Sequence, residues 1–491
     1  MPTLLAFGLF SAILLAAVGV GEALRAWAGW AAESSRRIVH VGAGLATALC
    51  PPLFSQPGPI YALAGLFIVA NVVAVRRRLL PGMHAIERES WGTVTFPIAL
   101  VVALWLCWTL DASRVFILQI AFGVLALADP AASLAGTRLA KPRCYTVAGQ
   151  TKSLAGSLAF FLVASSVTAL GLAALASSWS VGAVAVGALS VGGVGAAAEA
   201  LGRKGWDNLW IVLATIVPLV HLHHQPGAVG AMALGLGLAA AFGVVAYRAR
   251  SLDLSGTLAA SILAWMVAAL GGLAWVVPAF TFFVLSSALS RMGRRRKADA
   301  EVLAEKGSRR DAGQVVANGG VGAVLLAAHV FVPDPVLYWA FVGSFAAAAA
   351  DTWGTEIGTF FRRPTRLLAV GPRVPSGTSG GMSVPGTIGS ALGAAVVVAS
   401  AFLVGASVEP VRQLELAILV AGGGGLAALL DSALGATVQA RYRLPDGTLT
   451  ERSTSSTGPL ELAKGVRWMD NDGVNLACTL FGGLWPMLWL G

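Results

Sequence analysis

Sixteen apolar runs follow one another along this chain, each close to the ~20 residues a helix needs to cross a bilayer. They lie at roughly 3–20, 38–54, 58–75, 93–110, 114–129, 153–176, 180–200 and 208–224, then at 227–247, 254–270, 272–290, 314–332, 335–351, 384–406, 413–434 and 473–490. The division at Gly271-Gly272 is the softest. Residues 3–20 have no basic flank before them and read as a first span rather than a signal peptide. Composition agrees, with 56% of the 491 residues hydrophobic and 12% charged, against ~25% charged in soluble domains. The 59 glycines suit helices whose backbones approach closely in lipid. A soluble enzyme, a disordered chain and a disulfide scaffold are excluded. Cys50, Cys107, Cys144 and Cys478 are scattered, form no CxxC pair and read as free thiols.

Charge fixes the topology. With sixteen spans, alternate loops fall on alternate sides, and 32 of the 34 lysines and arginines share one side. That side takes Arg25, Arg36 and Arg37, then Arg76 to Arg78 and Arg88, then Arg138, Lys141, Arg143 and Lys152, and so on to Arg467. The other side receives only Arg114 and Arg412. By the positive-inside rule the basic side is cytoplasmic. Both termini are then expected outside, in what we expect to be a bacterial plasma membrane. The net charge of +10 is accounted for by these loops, and no nucleic-acid partner is expected. The expected fold class is an all-α polytopic membrane protein with about sixteen transmembrane helices.

The chain also repeats itself. Ala128-Asp129 is followed by Ser133 and Gly136, and Ala350-Asp351 by Thr355 and Gly358 at the same spacings. Ser153-Leu-Ala-Gly156-Ser157 matches Ser383-Val-Pro-Gly386-Thr387. Glu199 closes span 7 and Asp431 span 15, while Asp207-Asn208 opens span 8 and Asp470-Asn471 span 16. Spans 5–8 and 13–16 therefore carry the same polar groups in the same order, a parallel internal repeat. Two domains are expected, 1–225 and 226–491.

Ionisable groups at membrane depth are costly and mark functional sites. Asp129, Glu199, Asp207, Asp351, Glu356, Asp431, Asp470 and Asp472 all fall at or near the basic ends of spans. Asp207 and Asp470, at helix starts, also suit capping. Asp129, Glu199, Asp351 and Asp431 are expected at helix C-termini, where the helix dipole gives an acid no use. Carboxylates converging on one face suit magnesium and substrate phosphates. Two Gly/Ser-rich segments adjoin them: Gly149-Gln-Thr151-Lys152-Ser153 and Pro375-Ser-Gly377-Thr378-Ser379-Gly380-Gly381. Neither is a Walker A motif, but loops of this kind at a helix start cradle phosphate. His221, His223 and His224 fall on the opposite side, as a wet surface or a metal cluster, and His40 lies on the basic side, near phosphate or a buried carbonyl.

Residues 36–224 resemble the phytol kinase and dolichol kinase family through Arg36-Arg37-Ile-Val-His40, Ala128-Asp129-Pro-Ala-Ala-Ser-Leu-Ala-Gly136, Thr151-Lys152-Ser153-Leu-Ala-Gly156-Ser157, Glu199 and Asp207-Asn208. Ala128 stands where that family usually has Gly. From about residue 250 the chain resembles the plant phytyl-phosphate kinase family. That likeness rests on Gly313-Gln-Val-Val-Ala-Asn318, Asp351-Thr-Trp-Gly-Thr-Glu356-Ile-Gly358, Pro375 to Gly381, Asp431 to Gln439 and Asp470-Asn471-Asp472-Gly-Val-Asn475. The resemblances imply CTP-dependent phosphorylation of an isoprenoid alcohol, then of its monophosphate, in one polypeptide. They imply catalytic roles for Asp129, Glu199, Asp207, Asp351, Asp431 and Asp470. Magnesium would be held among Asp129, Asp207, Asp351, Glu356, Asp431 and Asp470. Donor phosphates would meet Lys152, Ser153, Gly156 and Asn208 in the first half. In the second half they would meet Arg373, Gly377, Thr378, Gly380, Gly381, Ser383, Lys464, Arg467 and Asn471. A cytidylyltransferase forming a CDP-lipid and a lipid or solute transporter are the rival readings. The clustering of the acids at one face, away from the midplane, argues against the transporter.

Overall fold

Uninterrupted backbone hydrogen bonding is the only way to carry a chain this apolar through lipid, and helices dominate the fold. The computed structural model describes residues 3–77, 91–138, 143–292, 309–404, 410–445, 447–455 and 458–490. Arg78, Arg88, Lys141 and the basic stretch 293–308 lie outside the described residues. Among the described residues sixteen long helices occur, one for each expected span. They are α1 (Thr3–Ala28), α2 (Ala32–Leu49), α3 (Gly58–Arg76), α4 (Gly92–Leu104), α5 (Val115–Arg138), α6 (Leu154–Leu175), α7 (Val181–Leu201) and α8 (Asp207–His224). Then come α9 (Val229–Arg248), α10 (Leu254–Met266), α11 (Leu273–Arg291), α12 (Ala312–Phe331), α13 (Pro335–Phe361), α14 (Val384–Phe402), α15 (Pro410–Thr437) and α16 (Asn471–Leu490). Helices α4 and α10 run on as π-helical turns to Thr109 and Gly271. Gly272, with φ +68°, makes the turn into α11.

Among the described residues, thirteen helices are long and apolar enough to cross a membrane. The three others, α2, α8 and α13, are diluted by their own polar residues: Glu33, Arg36, Arg37 and His40; Asp207, Asn208 and three histidines; Asp351 and Glu356. The chain is an all-α polytopic membrane protein.

One expectation needs correcting. Asp129 and Asp351 do not end their helices, because α5 continues to Arg138 and α13 to Phe361. A charged side chain does not interrupt the backbone ladder, and Pro130 removes one N–H donor without ending the helix. Both aspartates therefore project from helix interiors, as does Asp431, six residues before the end of α15 at Thr437.

The chain divides into two compact units, Met1–Ala233 and Leu234–Gly491. In the first unit α5 is central and packs against α2, α6 and α8. Its stretch Ile117, Leu118 and Ile120 to Ala126 is buried. In the second unit α13 is central, packed against α11, α12, α14, α15 and α16. Ala346 to Ala350 on α13 are buried among glycines, since a Cβ on Gly393, Gly424 or Gly482 would press into Ala349, Ala346 or Ala347. Small residues at helix crossings are how membrane helices approach closely.

The two central helices share one plan. Each is followed by a short antiparallel sheet and a serine-capped helix. In the first unit β1 (Cys144–Val147) pairs with β2 (Gln150–Ser153), and Ser153 Oγ accepts from Gly156 N at 3.0 Å to cap α6. In the second β3 (Thr365–Leu367) lies between β4 (Arg373–Val374) and β5 (Gly381–Met382), and Ser383 Oγ accepts from Gly386 N at 3.3 Å to cap α14. Such caps contribute ~1 kcal/mol each. The matched glycines sit in matched crossings. A Cβ on Gly156 would meet Ala132 O at 2.9 Å, and one on Gly386 would meet Gly354 O at 3.0 Å. The repeated sequence positions are thus repeated in space.

Candidate active site

In the first unit the acids gather where α2, α5, α7 and α8 meet. Glu199, two residues before the end of α7, is buried and receives Lys152 Nζ at 2.5 Å; the same ammonium donates to Glu199 O at 3.1 Å. Lys152 reaches it from β2. The hairpin tip, Ala148 at φ +48° and Gly149 at φ +76°, makes the two-residue turn that suits the strand twist. The segment expected as an open phosphate loop is therefore a paired hairpin, with Tyr145 opposite Lys152.

Asp129 faces α2. Its Oδ2 is 3.8 Å from His40 Nε2, which also lies 3.1 Å from Leu125 O. One turn further along α5, Ser133 Oγ accepts from Arg37 Nε at 3.1 Å and donates to Glu33 Oε1 at 3.4 Å. Asp207 opens α8, within electrostatic reach of Asp129, Lys152 and His40. Its neighbour Asn208 is buried and ties α8 to α4, donating to Gly92 O at 2.9 Å and Thr95 Oγ1 at 3.2 Å. Gly205, at φ +91°, allows this approach, because a Cβ there would collide with Gly92 N at 2.2 Å.

These groups line one end of a cavity of about 1680 Å³. Asp129, Lys152, Glu199 and Asp207 form its acidic end, with Arg36, Arg203 and Lys204 beside them. Mostly apolar side chains from α1, α3 and α4, among them Leu14, Val18, Leu63, Phe67 and Leu100, form the rest, with Thr47 of α2 and Asn71 of α3. A polar head and an apolar tail fit such a space.

In the second unit the carboxyl groups of Asp351 and Asp431 face each other. Cys478 Sγ lies 3.7 Å from Asp431 Oδ1, and Arg310 and Glu356 are the charges nearest Asp351. Glu356 Oε1 accepts from Ser290 Oγ at 2.5 Å. Asp470 Oδ1 accepts from Gly473 N at 2.9 Å, so it caps the start of α16. Lys464 Nζ donates to Ala436 O at 2.6 Å and Arg441 to Gly435 O at 2.9 Å, so both cations finish the C-terminal carbonyls of α15. Gly380 lies against the same helix end, where a Cβ would meet Ala436 N at 2.7 Å. Thr378 Oγ1 is bonded to Pro375 O at 2.8 Å, and Gly377 and Gly381 belong to the same turn. Arg373 is exposed on β4 opposite Arg366, Arg467 is exposed, and Asn471 begins α16.

Among the described residues no three His, Cys, Asp or Glu side chains converge on a point where they would cage a metal ion. The acids fit magnesium in its usual form, with one or two carboxylates and the remaining ligands from water and substrate phosphate. The facing pair Asp351 and Asp431 would supply two such ligands. The residues that sequence reasoning left out of the site are Glu33, Arg37 and Ser133. The spacing Glu33-x-x-Arg36-Arg37 marks a charged helix face, but its meeting with Ser133 depends on the packing of α2 against α5. The histidines form a separate network at the far end of α8. There Arg114 Nε donates to His224 Nε2 at 3.1 Å, and Asp111 accepts from Ser113 Oγ at 2.7 Å. The hydrogen bonds from Ser113, assisted by Arg114, hold the Asp111 carboxyl below the usual range.

The integral membrane protein family DUF92 matches residues 237–483, half of the chain. A phytol kinase of Synechocystis sp. is 31% identical over 44% of this chain and 90% of its own length. Protein PGR of Arabidopsis thaliana is 29% identical over 48% of this chain and 87% of its own. The chloroplastic protein VTE6 of Arabidopsis thaliana is 25% identical over 48% of this chain and 65% of its own. No solved structure matches the chain.

Proposed function

The chain belongs to the DUF92 family of integral membrane proteins, and from that premise we propose that it is a membrane isoprenoid kinase. The first unit would phosphorylate a prenyl alcohol and the second would convert the monophosphate to the diphosphate, both with CTP. The observation that carries this reading is the cavity of the first unit, acidic and hydrogen-bonding at one end and mostly hydrocarbon-lined along the rest. The relative named phytol kinase supports the same acceptor class.

In the first step the alcohol oxygen bonds to the γ-phosphorus and the bond to the β-phosphate oxygen breaks, releasing CDP. The hydroxyl proton passes to Asp129, whose carboxylate His40 orients. Lys152 neutralises Glu199 and so fixes the end of α7, while Arg36, Arg203 and Lys204 at the cavity mouth meet the donor's phosphates. Asp129 with Asp207 in the first unit, and Asp351 with Asp431 in the second, would hold magnesium, which would supply charge stabilisation to the transferring phosphoryl group. A monophosphate acceptor is already an anion at pH 7, so the second step needs no strong base and more cation.

Incubation of the purified protein in detergent with labelled CTP and a prenyl alcohol tests the proposal. Prenyl mono- and diphosphate with CDP are expected. Pyrophosphate and a CDP-lipid would identify the cytidylyltransferase instead. Turnover without a sealed membrane is incompatible with a transporter.

A further inference from the structure

We propose that the cavity of the first unit opens sideways into the bilayer between α1 and α3, and that the tail of a long prenyl alcohol leaves the site through this gap. The inference rests on the acceptor reading above. Depth forces it. His40 stands beside Asp129, and Thr47, which lines the far end, is seven residues along α2, or ~10 Å at ~1.5 Å per residue. On α4 the polar level at Gly92 and the last lining residue, Leu100, are eight residues apart, ~12 Å by the same rise. An extended C20 chain is longer than either.

The far end is shut. Phe10, Thr47 and Ile60 line it with 1%, 1% and 0% of their surface exposed, and Phe10 packs edge-on against Phe54 at 6.1 Å. The side is open. Leu15 on α1 lines the cavity yet is 63% exposed, and Ala70 on α3 is likewise both lining and exposed. Leu14, Val18 and Phe67 complete a rim without a charge, which hydrocarbon wets and water does not. Helix α1 is held at two other places. Ser35 Oγ bonds Gly21 O and Gly42 lies against Ala17 on the α2 side, and the Phe10–Phe54 contact holds the far end. Of the thirteen apolar helices it is the least buried. The site thus reads the head and first part of the chain, and the bilayer holds the remainder.

The test uses the full chain in lipid vesicles and a C20 prenyl alcohol carrying a photoactivatable group on its last prenyl unit. Crosslinks are expected in residues 14–18 and 67–74. Crosslinks confined to Phe10 and Phe54, or to α6 and α7, would overturn the proposal. Turnover gives a second readout: Leu15→Trp combined with Ala70→Trp should lower the ratio of C20 to C10 alcohol phosphorylation at least tenfold, and an unchanged ratio overturns it too. If the crosslinks map to α1 and α3 but neither alcohol is phosphorylated, the portal stands and the kinase reading falls.

Discussion

The two units build the same helix–sheet–helix plan and then charge it differently. In the first, each acid on the plan has a basic companion: Lys152 at 2.5 Å from Glu199 and His40 at 3.8 Å from Asp129. In the second, the position matching Lys152 is Met382, and Asp351 and Asp431 face each other. The cations sequence reasoning assigned to phosphate there include Lys464, which finishes a helix end. Two carboxylates in contact repel unless a proton or a cation lies between them. The first unit therefore pairs Asp129 and Glu199 one to one with basic groups, whereas the second sets two carboxyls against each other with Arg310 alongside.

The largest effect expected is separation of function. Asp129→Asn keeps the shape and removes the charge, and should lower phosphorylation of a prenyl alcohol on the order of a hundredfold or more. It should leave conversion of added prenyl monophosphate intact. Asp351→Asn should do the reverse and accumulate monophosphate. Product analysis by mass spectrometry on variants with normal thermal unfolding decides the matter. Loss of both steps in either folded variant would mean one composite site.

The charge contrast itself is open to a stability test. Lys152→Met leaves Glu199 buried without its partner, which typically costs ~3–5 kcal/mol. Adding Glu199→Gln should recover most of that loss. In the second unit Asp431→Asn replaces one of two facing carboxyls with a neutral amide, leaves no charge stripped of a partner and should change stability by only about 1 kcal/mol. Unfolding in detergent measures all three. A large loss is expected for Lys152→Met alone; destabilisation by Asp431→Asn as large as that by Lys152→Met would erase the contrast.

Metal linkage sharpens the same point. If magnesium lies between Asp351 and Asp431, adding it without nucleotide should raise the unfolding temperature, by up to ~2.7 kcal/mol of stability at a hundred times its dissociation constant. Asp431→Asn should abolish the shift and Asp129→Asn should not. A shift that survives Asp431→Asn places the ion elsewhere.

The sixteen helices were legible because apolarity over ~20 residues leaves a chain few alternatives. So was the repeat, with Ser153 and Ser383 at matched positions; that both serines cap helices emerges only in the structure. What sequence did not show depends on who meets whom. Lys152 looks like a phosphate-loop lysine until β1 and β2 pair and turn it to Glu199, 47 residues away. Asn208 looks like a ligand until α4 arrives against it. The end of α5 was placed at Asp129 because a charge ends an apolar run, whereas the helix follows its hydrogen bonds to Arg138.

The smallest predicted effect asks whether the repeat is physical in both units. Gly156 and Gly386 occupy the same place, three residues inside a serine cap and against the backbone of the central helix. Alanine has the better helix propensity by ~1 kcal/mol, so on local grounds either substitution should stabilise. The new methyl would sit 2.9 Å from Ala132 O in one unit and 3.0 Å from Gly354 O in the other, closer than carbon and oxygen rest. Overpacking costs ~1–3 kcal/mol, so Gly156→Ala and Gly386→Ala should each destabilise by about 1 kcal/mol net and lower the unfolding temperature alike. The neighbour in the first unit is an alanine within α5 and in the second a glycine within α13, which gives the second backbone slightly more freedom to shift. A modestly smaller loss for Gly386→Ala fits that difference. Stabilisation by either would show that the crossing is looser than drawn, and that the matched glycines are a likeness of sequence alone.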